Sequence, residues 1–335
     1  MTLSGLQQRD AAIETLLSVA RREMLLLAIA KGVSDDDGAA VACARLRWAI
    51  GAARQSIATF SHDPRVERCV SQLDRVANRA QRWLCDEPTR SLQTIGDLID
   101  RVAIRRGGRA QIEAAHASLI DLDLDDLELG RIVLHGAILT EVTVRRAGCD
   151  AADASATRWL RCDLEASSLA MAVFAGSTLD HCDLTRANLE GTSWHRAALS
   201  HCKLPRAGLL DARLDRAVFS DCNLRGVDLE IVRHPDVATL VGARFVRCDL
   251  RETNWGGRDL GGVAFIDCKL FGAHGAPQLA GAVIERADIS ILADGSRTAL
   301  PSEVETGWRT VVGAGSGATA GDPEAASARG ARTSQ

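Results

Sequence analysis

Residues 179–204 read LDHCDLTRANLEGTSWHRAALSHCKL, and a large apolar residue returns at every fifth position: Leu179, Leu184, Leu189, Trp194, Leu199 and Leu204. Followed backwards, the same step meets Phe174, Leu169, Leu164 and Trp159, then Ala154, Cys149, Val144, Leu139, Leu134, Leu129, Leu124 and Leu119. Forwards it meets Leu209, Leu214, Phe219, Leu224 and Leu229. Of these 23 positions only Cys149 and Ala154 are not large and apolar, whereas a chain of 46% hydrophobic residues would supply fewer than 11 by chance. Two residues before each centre, from Ala137 to Val227, only Ala, Cys, Ser, Thr or Val occurs. One large and one small inward residue in every five fit neither the 3.6-residue period of a helix nor the two-residue period of a strand. The chain must turn a corner at each repeat, and four sides make a square coil.

The cysteines test this independently. Cys162, Cys182, Cys202 and Cys222 are 20 residues apart, which is four repeats, and should stack in one inward file. Cys248 and Cys268 are again 20 apart, but Cys248 lies 26 beyond Cys222, so six residues are inserted. The step from Phe219 to Phe245 and then Phe265 gives the same offset. The insertion is placed at 231–237, a loop containing Ile231, Arg233, His234, Pro235 and Asp236 and a candidate for binding a partner, with coiling resumed at Leu240 and Leu250 in register. A second slip through His274, Gly275 and Pro277 precedes the final centres Leu279, Ile284 and Ile289. About eight coils at a strand spacing of roughly 4.8 Å predict a rod about 40 Å long.

The triplets Ala187-Asn188-Leu189, Cys162-Asp163-Leu164, Cys182-Asp183-Leu184, Cys222-Asn223-Leu224 and Cys248-Asp249-Leu250 resemble the A-(D/N)-L-x-x consensus of the pentapeptide-repeat family. The resemblance covers about half the chain. It implies a right-handed quadrilateral β-helix, hydrogen-bonded from coil to coil, with a solid interior. The first coil departs from the pattern, since Leu122, Leu127 and Ile132 occupy small-residue slots, and is read as a wider coil or as a seam against the N-terminal segment.

That segment, 1–110, reads as a helical module. Apolar stripes such as Leu6, Ile13, Leu17, Met24 and Leu27, then Val66, Leu73, Val76 and Trp83, then Leu92, Ile95, Ile99 and Val102, predict a helical bundle. Gly32 stops the first helix, Pro64 and Pro88 open later ones, and Gly107-Gly108 ends the last. Such a module would cover the open end of the β-helix. The β-helix is expected over 117–290, a C-terminal cap over 291–312 with Trp308, and a disordered Gly/Ala/Ser/Thr tail over 313–335.

Composition excludes several functions. The chain is 4% aromatic with no tyrosine and has a net charge of −4, and the apolar run Met24 to Ala30 is too short to cross a bilayer. A cytoplasmic protein without membrane association is expected, its ten cysteines being reduced thiols used as small apolar residues. His181 and His201 should stack at an exposed corner, but the same position in other coils holds Arg161, Asp221, Arg247 and Asp267, which make no coordination set. Asp121, Asp123 and Asp125 imitate the start of a calcium loop, but Asp126 and Ile132 stand where Gly and Glu are required. No phosphate-binding loop or nucleophile motif is present, so neither cofactor nor metal nor catalysis is expected.

Two non-catalytic functions remain. One is a scaffold or protein–protein interaction rod whose partner and oligomeric state the sequence does not name. The other, implied by the resemblance, is mimicry of duplex DNA by a protein that binds gyrase or another type II topoisomerase and protects it from inhibitors. Charge ranks them. A 40 Å stretch of duplex would hold roughly 23 negative charges, whereas residues 117–290 carry 25 acidic and 19 basic residues, a net −6. Direct nucleic-acid binding is not expected, since neither half of the chain is basic enough.

Overall fold

The computed structural model describes residues 3–32, 36–58, 71, 74–78, 112–230, 240–275, 277–290 and 298–299. Nine three-residue strands define one side of a square coil: β1 (Ser118–Ile120), β2 (Ile138–Thr140), β3 (Arg158–Leu160), β4 (Thr178–Asp180), β5 (Ala198–Ser200), β6 (Val218–Ser220), β7 (Arg244–Val246), β8 (Ala264–Ile266) and β9 (Val283–Glu285). They form a single parallel sheet in sequence order. Leu119 pairs with Leu139, Leu139 with Trp159 and so on at 20-residue steps, as the period requires. The other three sides are joined by isolated parallel bridges such as Asp163 to Asp183 and Ser168 to Asn188. The fold is therefore a parallel β-solenoid of about eight turns.

Each corner places one residue in the left-handed region, at five-residue spacing: Arg186 (φ 59°), Gly191 (φ 65°), Arg196 (φ 56°) and His201 (φ 54°). Non-glycine residues there are strained by about 1–2 kcal/mol each, and hydrogen bonding offsets the strain. Three corners of each coil close a turn, as in Ala187 N–H to Leu184 O (3.0 Å), Thr192 N–H to Leu189 O (3.2 Å) and Ala197 N–H to Trp194 O (2.9 Å). Hydroxyls in the small slots donate inward as well, Thr192 Oγ1 to Leu189 O at 2.6 Å and Ser167 Oγ to Leu164 O at 2.8 Å. Two of the three tryptophans at centres donate to this slot: Trp159 Nε1 to Thr157 Oγ1 and Trp194 Nε1 to Thr192 Oγ1, each at 2.8 Å.

The insertion is six residues long, because Phe219 pairs with Phe245 in the sheet. The later slip is a single deletion, since Asn254 bridges His274 but Asp259 bridges Gln278. Both irregularities fall at the same corner of the coil, between the third and fourth sides. Coiling starts one repeat before Leu119, with Glu113 bridged to Val133 and Ala114 buried at the centre position. An alanine there lacks the large side chain by which centres are recognised.

At the N-terminus, α1 (Leu3–Gly32) packs against α2 (Asp36–Ala58), with Leu17, Met24 and Leu27 buried beside Leu46, Ala49 and Ala53. Helix α1 also meets β1, and its core is continuous with that of the coil. Leu122, Leu127 and Ile132 are buried at this end; with no coil beyond them, the oversized side chains fill the space toward the helices and form a seam. Most of the helices expected after Pro64 and Pro88 lies outside the described residues, although Val76 and Ala77 are helical and buried. At the other end, β10 (Ala287–Asp288) pairs antiparallel with β11 (Thr298–Ala299), covering the outer edge of the coil side on which Asp288 bridges Lys269. The rest of 291–312, including Trp308, and the tail 313–335 lie outside the described residues.

The interior is not completely filled. Around the two small centres, Cys149 and Ala154, a cavity of about 20 Å³ remains, lined by Leu129, Val144, Trp159, Leu169 and other apolar residues. Without polar partners it stays dry. Cys149→Leu restores the usual centre residue, and at about 24 cal/mol per Å³ of cavity filled it should raise stability by about 0.5 kcal/mol, read as a higher urea midpoint at unchanged slope.

Candidate interaction surface

The coil register sends every centre from Trp159 to Leu229 inward, along with Phe245, Leu250 and Phe265, and all are buried. The aromatic centres stack along the axis, Phe174 on Trp194 at 4.2 Å and Phe245 between Phe219 (5.0 Å) and Phe265 (5.4 Å). Cys162, Cys182, Cys202, Cys222, Cys248 and Cys268 form a buried file. They line the corner that follows the sheet, where no turn hydrogen bond of this kind forms among the described residues. There the thiols donate to backbone carbonyls of the preceding coil, Cys202 Sγ to Leu179 O at 3.5 Å and Cys268 Sγ to Phe245 O at 3.3 Å. Cys182 and Cys248, each hydrogen-bonded to a cysteine on either side and desolvated, have their thiols pushed far up in pKa. With all six residues in the core, the file packs as small apolar side chains do.

What remains for function is the outside, and its sides differ. The corners and the three sides without strands carry many charges, and a number of these are paired between neighbouring coils. Arg145 reaches buried Asp125 (2.6 Å) and Arg146 reaches Asp126 (2.7 Å). Arg161 pairs with Glu141 (2.9 Å), Arg247 with Asp221 (2.7 Å) and Arg225 with Glu252 (2.6 Å), while Arg186 pairs with Glu165. The guanidinium partners hold the Asp221, Glu252 and Asp267 carboxyls below the usual carboxylate range. These carboxylates are thus neutralised by arginines of an adjacent coil.

The exterior of the nine-stranded sheet is different. Ile120, Ile138 and Val283 are exposed, and Leu160, Val218, Val246 and Ile266 half-buried. Only Arg158, Asp180, Arg244 and Glu285 interrupt its outward positions with charge.

Two features escaped the repeat pattern. Arg258 occupies a small-residue slot yet is 2% exposed, at the corner the insertion interrupts, where Nη2 donates to Ala212 O (3.2 Å). Burial pushes its guanidinium down to about 10, opposed by Asp211, Asp215 and Asp228. The rule of small slots, followed past Val227 to Leu260, would have exposed it. The other is Asp180, which joins His181 and His201 at the corner after β4. The loop residues Ile231, Arg233, His234, Pro235 and Asp236 lie outside the described residues.

The coil is thus a closed parallel solenoid around an apolar core. Residues 161–193 and 195–230 match the family model for pentapeptide repeats, in eight copies, so the solenoid that follows the N-terminal helices is built of pentapeptide repeats. No curated protein matches it in sequence. Among solved structures, it is similar to trypsin-treated QnrB1, a plasmid-mediated fluoroquinolone resistance protein (18% identity over 53% of this chain and 80% of that one, TM-score 0.30). It is similar also to HetL, a pentapeptide repeat protein involved in heterocyst differentiation regulation from the cyanobacterium Nostoc (21% identity, 60% and 98%, TM-score 0.26). No helix among the described residues is long and apolar enough to cross a membrane.

Proposed function

We propose that the protein is a non-catalytic interaction rod that docks a partner protein on the outer face of its nine-stranded sheet. The observation that carries this reading is the row of aliphatic side chains that face carries outward, Ile120, Ile138, Leu160, Val218, Val246, Ile266 and Val283, set against the charges of the other sides. Eight strand spacings give a face about 38 Å long, and three residues a width of about 10 Å, so roughly 400 Å² is available. Nine of the 18 outward positions on that face are apolar, and exposed apolar surface of this kind marks a site of protein–protein contact. Burying it once from each partner gives about 800 Å², the size of a transient interface, so the complex is weak unless the helices or the 231–237 loop add contacts.

Mimicry of a duplex is the competing reading, and the cross-coil pairing of carboxylates with arginines speaks against it, because a mimic must present unneutralised charge. Ile138→Lys and Ile266→Lys change only outward side chains and should leave the melting temperature within about 2 °C. In cross-linking from the native cell, one partner should be captured by the parent chain and lost with both variants. Capture unchanged by both substitutions overturns the docking face. Salt-sensitive protection of purified gyrase from a quinolone, in competition with DNA, replaces it with mimicry.

A further inference from the structure

Along the corner that follows the sheet, successive coils place an exposed residue in the left-handed region: Glu141, Arg161, His181, His201, Asp221, Arg247, Asp267 and Arg286. Most of this ladder consists of acid–arginine pairs, Glu141 with Arg161, Asp221 with Arg247 and Asp267 with Arg286. The histidines break it. Their imidazoles stack, centroids 4.6 Å apart and planes 13° from parallel. Parallel pairing of β4 with β5 sets Asp180 opposite Ser200, which brings a carboxylate beside both rings. Asp180 Oδ1 lies 2.9 Å from His181 Nδ1 and 3.5 Å from His201 Nδ1. Ser200 Oγ donates to the same oxygen at 2.8 Å.

We propose that Asp180, His181 and His201 bind one divalent transition-metal ion of the zinc class. The donors are Asp180 Oδ1 and the two Nδ1 atoms, each imidazole in the tautomer with its proton on Nε2. Two neutral imidazoles and a carboxylate are the donor set such ions prefer over calcium or magnesium. Ligands about 2.0–2.1 Å from a tetrahedral ion are roughly 3.3–3.5 Å from one another, and the two separations from Asp180 bracket that spacing. The rings are 57% and 53% exposed and the carboxylate 44%, so both imidazoles have room to rotate out of their stack, as lone pairs lying in the two ring planes must do to meet at one ion, without disturbing the core. Ser200 orients the carboxylate from behind, as outer partners of metal ligands do. The neighbouring coils do not compete, because Arg161 is held by Glu141 and Asp221 by the bidentate Arg247. Three protein ligands leave a coordination position open to water or to a side chain of a docked protein.

The test is titration of the full-length chain with Zn²⁺ by calorimetry, and with Co²⁺ by visible absorption. One equivalent should bind with Kd near 10 µM, and Co²⁺ should give the intense bands of a low-symmetry four-coordinate site. His201→Ala and Asp180→Asn should each weaken that equivalent at least tenfold, whereas His116→Ala, at the edge-on His116–His135 pair elsewhere on the rod, should leave it unchanged. All three positions are solvent-facing, and unchanged melts of the metal-free variants confirm that folding is not what differs. Absence of saturable binding below 100 µM overturns the site. So does binding that survives His201→Ala, or that is lost equally in His116→Ala.

Discussion

Arg21→Ala is expected to destabilise the protein by about 3–5 kcal/mol, the usual consequence of removing one member of a buried ion pair. Arg21 projects from α1 onto the first coil and is 5% exposed, as is Asp123. Its Nε lies 3.1 Å from Asp123 Oδ1, close enough for charge pairing although the N–H is not aimed at that oxygen. Its Nη1 donates to Asp125 O at 2.9 Å. Without the guanidinium, Asp123 stays desolvated beside Asp125 and Asp126, and the seam between helices and rod acquires a hole. Urea denaturation followed by tryptophan fluorescence reads the loss. The double variant Arg21→Met with Asp123→Leu replaces the pair by apolar volume and should recover most of it. A single variant within about 1 kcal/mol of the parent would mean that the seam rests on apolar contact alone.

The second large effect belongs to the aromatic column. Phe245→Ala should cost about 3–5 kcal/mol, because Phe245 is fully buried between Phe219 and Phe265 and lies edge-on to Trp255 at 5.7 Å. Leu189→Ala, in a regular coil, should cost about 2–5 kcal/mol. Asp183→Ala, which removes an outward carboxylate accepting the Thr185 N–H at 2.9 Å, should cost about 1 kcal/mol. Phe245 also sits in β7, the first strand of the sheet after the insertion, where the column carries the core past the interruption. In a solenoid each coil is stabilised chiefly by its neighbours, so Phe245→Ala should split one denaturation transition into two, with the C-terminal coils lost first. Equal losses at Phe245 and Asp183 would mean that inside and outside had been exchanged.

Most of the rod was legible in the sequence because its constraints are local and repeated. A residue's inward or outward direction follows from its place in a five-residue unit, and the cysteine and phenylalanine spacings fix an insertion of six residues without any knowledge of the loop. Ala114 was not legible, since an isolated alanine at a centre resembles any surface alanine. The cavity at Cys149 and Ala154 could be suspected from two small centres in succession, but whether neighbouring Leu129, Trp159 and Leu169 would collapse into it depends on packing in three dimensions.

The site residues divide in the same way. The stacking of His181 on His201 follows from their 20-residue spacing, yet the third donor comes from the strand position before the corner, a different step of the repeat. Its approach depends on the rotamer of Asp180 and on the Ser200 hydroxyl opposite it. The sequence by itself determined the coil, its period, its inside and outside, and the size of its interruption, because burying one large and one small side chain in every five residues leaves the backbone few alternatives. Only the tertiary structure decided that Arg21 would close on Asp123, 102 positions away, and that Arg186 would choose Glu165. It decided also that Arg258 would be buried at the interrupted corner. Those outcomes depend on how side chains from separate elements meet, and a charged group pairs with whichever partner the packed backbone brings within reach.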